Sequence, residues 1–163
     1  MSLAVRWACP ADAGELALVL CEMAAHYRQT PPTHATALAA ALEWLGDESP
    51  AYPHFALAWK DDEIAGLASV AIAHPGIDLK RLMFLKDLYV RDGHRNAGCG
   101  LALLRFLATQ CLERGIGRID LTTDGGNEGA IRFYERLGAK RHGQKIFLRL
   151  DGERLVEIAS SAR

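Results

Sequence analysis

Between a stretch with the period of a β-strand, Phe84 to Val90, and a stretch with the period of an amphipathic helix, Leu101 to Arg114, the chain carries Arg95-Asn96-Ala97-Gly98-Cys99-Gly100. No other feature constrains the fold as much. Glycine removes the side chains that would keep a ligand away from the backbone, and the first N–H groups of a helix lack partners within it and carry partial positive charge. A strand that runs through such a loop into a helix is an anion cradle, and a phosphorylated ligand suits it. Arg95 adds a charge that pairs with phosphate oxygens, although solvated surface is the commonest fate of an arginine. A glycine pair after a strand is weak alone, because many α/β proteins need one there to pack helix on strand.

The surrounding order predicts the architecture. Ala4 to Ala8 reads as a first strand, followed by a helix with Asp12 as N-cap that runs to about Tyr27, its stripe formed by Leu16, Val19, Leu20 and Met23. Gln29-Thr30-Pro31-Pro32 stops it, and a second helix capped by Thr33 or Thr36 carries Leu38, Leu42 and Leu45 to Gly46. Phe55 to Trp59 and Ile64 to Ala73 form a hairpin around Lys60-Asp61-Asp62-Glu63, His74-Pro75-Gly76 turns the chain, and Leu79 to Val90 continues the meander. After the helix marked by Leu101, Leu104, Leu107, Ala108 and Cys111 come a strand, Arg118 to Thr123, and a helix capped by Asn127 that ends at Gly138. This βαβα order implies one parallel crossover in an otherwise antiparallel sheet. A last strand is expected over Lys145 to Leu150, and the tail after Asp151 is either a short helix or a frayed end.

With 163 residues, half of them apolar and 24% charged, the chain is the size of one domain spanning 1–163 and has neither the bias of disorder nor an apolar run of membrane-span length. A net charge of −1 with no Lys/Arg block gives no footprint for nucleic acid or an acidic membrane, so a small-molecule or peptide partner is expected. Cys9, Cys21, Cys99 and Cys111 show no paired spacing, and residues 1–10 lack a signal-peptide pattern; a cytoplasmic setting follows as an expectation. The six histidines have no metal-ligand spacing.

The loop R-x-x-G-x-G after Leu88-Tyr89-Val90, together with Asn127 and Phe133-Tyr134-Glu135-Arg136-Leu137-Gly138, resembles the GCN5-related N-acetyltransferase family, nearest in pattern to its diamine acetyltransferase-like branch. The likeness covers most of the chain and is strongest from Phe84 to Gly138. A Walker loop is excluded by the missing Gly-Lys-Ser/Thr, and a dinucleotide fingerprint fails because its third small-residue position holds Leu103. The resemblance implies a mixed α/β acyl-CoA N-acyltransferase fold and acetyl-CoA as co-substrate, with no metal. Backbone N–H groups from Arg95 through Asn96, Ala97, Gly98, Cys99 and Gly100 to Leu101 would hold the diphosphate. The strand Leu88-Tyr89-Val90 would pair with the pantetheine arm through the backbone of Leu88 and Val90, and Asn127 and Ala130 would add cofactor contacts. Relatives often dimerise, which makes a homodimer an expectation.

Acetylation of an amine needs a neutral nitrogen, a polarised thioester carbonyl and a protonated leaving thiol. By resemblance Tyr134 is the proton donor to the thiolate, although an aromatic beside Phe133 and Leu137 also fits plain packing. Asp87 is a candidate base, on the expectation that side chains 85, 87 and 89 share one strand face; it serves equally as an acceptor for backbone groups or a partner of Lys86. The branch has an acid where this chain has Lys86, and an inward-pointing lysine implies a neutral, zwitterionic or anionic acceptor. Tyr27, with His26 and Arg28, closes the first helix near the joint that lines the acceptor pocket in relatives, and Trp44 and Tyr52 are candidates to close that pocket; packing is the commoner use of such aromatics. Cys99 reads as a small side chain rather than a nucleophile, since the family transfers acetyl directly. The alternative reading is a catalytically silent acyl-CoA-binding module.

Overall fold

The computed structural model describes residues 3–46, 54–74 and 79–160. Tyr52 and the turn residues Pro75-Gly76 lie outside them. The chain divides into two compact units, 1–122 and 123–163.

The first unit holds a five-stranded sheet in the order β1-β2-β3-β4-β5, formed by Ala4–Trp7, His54–Lys60, Glu63–Ala73, Leu82–Val90 and Arg118–Leu121. The first four strands are antiparallel neighbours, and β4 and β5 run parallel with Leu82 opposite Arg118 and Leu85 opposite Leu121. The hairpin from β2 to β3 closes with Lys60 opposite Glu63, and Asp61 and Asp62 both take positive φ, as a primed two-residue turn demands. The parallel pair is connected by a helix, α3, because strands running the same way cannot be joined by a tight turn.

Two helices, α1 (Ala13–His26) and α2 (His34–Gly46), cover the sheet face that carries Phe55, Leu57, Leu67 and Tyr89; Leu16 and Val19 of α1 and Ala41 of α2 are fully buried against it. Thr33 caps α2, accepting from the Thr36 N–H at 3.2 Å. In α2 the buried residues are Ala37 and Ala41, whereas Leu42 is 53% exposed. Asp12 holds the N-cap position of α1, but its side chain makes no capping hydrogen bond to that helix. Its carboxylate turns back to accept the Cys9 N–H at 2.8 Å and both terminal nitrogens of Arg6 at 2.6 and 2.7 Å, so it closes the short 3-10 turn Pro10–Asp12 ahead of the helix.

α3 (Cys99–Glu113) packs on the other face. Its buried stripe is Cys99, Leu103, Leu107 and Cys111, each four residues after the last, whereas Leu101 and Leu104 are half-buried and Ala108 is exposed. Cys111 lies 3.8 Å from the Met83 sulfur, and Trp7 donates to Gln110 at 2.9 Å. Each fully buried leucine contributes about 1.5–3 kcal/mol of transfer free energy.

In the second unit, α4 (Glu128–Arg136) is capped by Asn127, whose side chain accepts the Ala130 N–H at 3.1 Å, and Gly138 at φ 88° follows its end. α5 (Glu153–Ser160) resolves the tail as a helix. Lys145–Leu150, expected as a strand, pairs with no strand among the described residues; its apolar content suits a strand, but a strand forms only where a second backbone pairs with it.

Candidate active site

β4 outruns β5. The last parallel pair is Leu85 with Leu121, while on the other side β4 keeps its β3 partners as far as Val90 opposite Gly66. Lys86–Val90 therefore present an open backbone edge on the β5 side among the described residues. The Arg91 N–H donates to Ala65 of β3 at 3.0 Å, so alternation turns the backbone groups of Tyr89 toward β3 and those of Leu88 and Val90 toward the open side. Both carbonyls are met there by side chains: the Tyr27 hydroxyl reaches Leu88 O at 3.5 Å, and Arg95 Nε reaches Val90 O at 3.1 Å. A third, extended chain fits this edge as another strand would.

The open edge leads into the glycine loop. Asn96 at φ 61° and Gly98 at φ 82° are left-handed, which curls the chain tightly just ahead of α3. Any Cβ at position 98 meets open space, so glycine is needed for its backbone angle rather than for room. Room is the issue at Gly66 of β3, where a Cβ would stand 2.7 Å from Tyr89 O and 2.9 Å from the Cys99 sulfur. That contact seats the first residue of α3 on the sheet. Cys99 is buried and burial pushes its thiol up to about 11, which removes it as a nucleophile.

A charged cluster unseen in the sequence fixes the entry to the loop. Arg91 is held by Glu22 of α1 through Nε at 2.9 Å and a terminal nitrogen at 2.7 Å, with Glu63 at 3.4 Å and Glu15 at 3.6 Å. The Glu22 hydrogen bond holds the guanidinium in its charged form. Glu63 also meets His94 Nε2 at 2.7 Å, and the His94 N–H donates to Arg91 O. Arg95 pairs with Asp92 at 2.8 Å and touches His26 at 3.2 Å, so the loop is tied to the end of α1 at two places. Burial raises the Tyr89 phenol above its usual range, and its ring packs on His26 at 5.6 Å. Trp44 stacks on Phe55 at 5.9 Å as core packing.

At the other end of the open edge lies a β-bulge. Ser69 faces Asp87 but the next β3 residue, Val70, faces Leu85, so Lys86 is an extra residue on β4. The expectation that 85, 87 and 89 share a face fails here: Leu85 points with Val70 toward α3, while Asp87 and Tyr89 point with Ser69 and Leu67 toward α1 and α2. One residue without a partner reverses the alternation. The Ser69 hydroxyl donates to Asp87 Oδ2 at 2.7 Å, and Lys86 Nζ stands 3.5 Å from Asp87 Oδ1. Tyr27, Lys86, Asp87, Leu88, Val90 and Arg95 are thus gathered along one strand and its loop. Asn127, Ala130 and Tyr134 belong to α4 and its cap in the second unit, where Tyr134 makes an edge contact with Phe133 at 5.3 Å.

Comparison with known proteins matches residues 20–139 to the model of the Acetyltransferase (GNAT) family. Over 98 residues the chain is 31% identical to an L-ornithine N5-acetyltransferase of Arabidopsis thaliana, covering 60% of this chain and 43% of that protein. Over 83 residues it is 30% identical to a thialysine N-epsilon-acetyltransferase of Bos taurus, covering 48% of each. The matched stretch spans less than half of either relative. An integron cassette protein from the mobile metagenome of V.cholerae superposes with a TM-score of 0.82 at 26% identity over 99% of both chains.

Proposed function

The chain belongs to the acetyltransferase (GNAT) family, and from that premise we propose that it transfers an acetyl group from acetyl-CoA to a primary amine of a small molecule or peptide. The observation that carries this reading is the five-residue open edge of β4 running directly into a left-handed loop at the start of a 15-residue helix. Its chemistry suits each part of the co-substrate: peptide-like groups on the edge for the amides of the pantetheine arm, and the loop at the start of α3 with the Arg95 guanidinium for the diphosphate.

The chain's own residues then have these tasks. Leu88 and Val90 align the arm, which requires Tyr27 and Arg95 to give up the two carbonyls they hold. Arg95 exchanges a neutral acceptor for a charged one, a stronger hydrogen bond. Asp87, held in place by Ser69, receives the amine proton directly or through water. Tyr134 protonates the departing thiolate, and Asn127 and Ala130 steady the arm. Both curated relatives are named for acetylating the side-chain nitrogen of an amino acid, which supports a small amino-acid-like acceptor.

Thermal denaturation with and without acetyl-CoA, followed by a thiol-release assay over a panel of amines, tests the proposal. A raised melting temperature and acceptor-dependent thiol release support it. Binding without release would mark a silent acyl-CoA-binding module, and absence of both contradicts either reading.

A further inference from the structure

We propose that Lys86 makes this enzyme select acceptors that carry a carboxylate in addition to the amine that is acetylated. The inference rests on the acetyltransferase reading above and names the substrate class of that site. Three observations carry it.

First, the bulge places Lys86 apart from the ladder. It has no partner on β3, and bulged residues are re-aimed relative to their neighbours. Second, its position marks the reacting end of the cleft. At a strand's rise of roughly 3.3 Å per residue, Lys86 lies about 13 Å upstream of Val90, a span comparable with an extended pantetheine arm laid along β4 from the loop. A thioester held in this way arrives beside Lys86 and Asp87. Third, the charges there are unequal in what they have left to give. Asp87 already accepts from Ser69 at 2.7 Å and faces the Lys86 ammonium at 3.5 Å, whereas Lys86 is 68% exposed and, among the described residues, holds this carboxylate beyond normal hydrogen-bond length. An ammonium has three N–H donors, so Lys86 retains donors for an incoming anion.

A second ammonium on the acceptor is therefore repelled at the position where a carboxylate is attracted. A diamino acid satisfies this arrangement. A diamine of the same length does not.

The test uses matched acceptors that differ by the carboxylate alone: L-lysine against 1,5-diaminopentane, and L-ornithine against 1,4-diaminobutane, each assayed for thiol release with saturating acetyl-CoA. Wild-type kcat/KM is expected to favour the amino acid in both pairs. Lys86→Met should reduce that preference about tenfold, the worth of one hydrogen bond to a charged group, and Lys86→Glu should invert it. The melting-temperature rise given by acetyl-CoA should be the same in all three proteins, which separates specificity from folding and from cofactor binding. Turnover with an unchanged preference in both variants, or a wild-type preference for the diamines, overturns the assignment of Lys86 alone. No thiol release with any acceptor overturns the acetyltransferase reading and this inference with it.

Discussion

Arg95 donates from Nε to the carbonyl of Val90 at 3.1 Å, five residues back along the chain, and so lies across the end of the open strand edge. The same guanidinium pairs with Asp92 and touches His26. Arg95→Ala should raise KM for acetyl-CoA about tenfold with kcat little changed, because it removes a charge-assisted contact made equally in ground and transition states. Arg95→Lys should restore only part of the loss, since an ammonium cannot reproduce the planar fork. Steady-state kinetics with acetyl-CoA as the varied substrate measures both.

In the proposed reaction Tyr134 gives its proton to the leaving thiolate, a group that needs it only as the thioester breaks. Tyr134→Phe should lower kcat about 10²-fold or more while the acetyl-CoA-induced rise in melting temperature is kept. Equal loss of binding and turnover would make the residue a packing aromatic instead.

Cys99 stands inside the loop yet its thiol is buried and pushed up to about 11 by that burial. In native protein at pH 8 it should resist a thiol reagent that labels the exposed Cys9, and react only after unfolding. Cys99→Ala should keep thiol-release activity. Rapid native labelling of Cys99 with matching loss of turnover would contradict the direct-transfer chemistry.

Asp12 links stability to pH. The Arg6 hydrogen bond, aided by the Cys9 N–H, holds its carboxyl below the ordinary range against the opposing effect of burial. Its stabilising contribution is fully present above the unfolded value near about pH 4 and fades as pH falls through the lower folded value, because the unfolded chain then binds the proton more readily. Asp12→Asn should cost about 1–2 kcal/mol at pH 7, less than a fully buried pair because Arg6 is half-exposed. Urea titrations at pH 7 and at pH 3 should show the difference shrinking at the lower pH.

The parts of this molecule legible in the sequence are those that depend on local signals. Strand period up to Val90, the glycines at 98 and 100 and the stripe after them specify β4, the loop and α3 without any distant residue. Register is not local. The bulge at Lys86 exists because Ser69 and Val70 of another strand pair with Asp87 and Leu85, so a strict alternation put 85 and 87 on one face. The partner of Asp87, the reach of Tyr27 to Leu88 over 61 residues and the grip of Glu22 on Arg91 over 69 are likewise tertiary facts. The apolar content of Lys145–Leu150 shows the same limit, since it favours a strand but supplies no partner.

In the proposed reaction the open edge of β4 and the loop after it hold acetyl-CoA. A crystal structure of the complex tests it directly. The pantetheine arm should be hydrogen-bonded to the backbone of Leu88 and Val90, the diphosphate should lie against the loop of residues 95–101, and Arg95 should be withdrawn from the Val90 carbonyl. Co-substrate bound elsewhere, with Arg95 still on Val90 and that edge untouched, would contradict it.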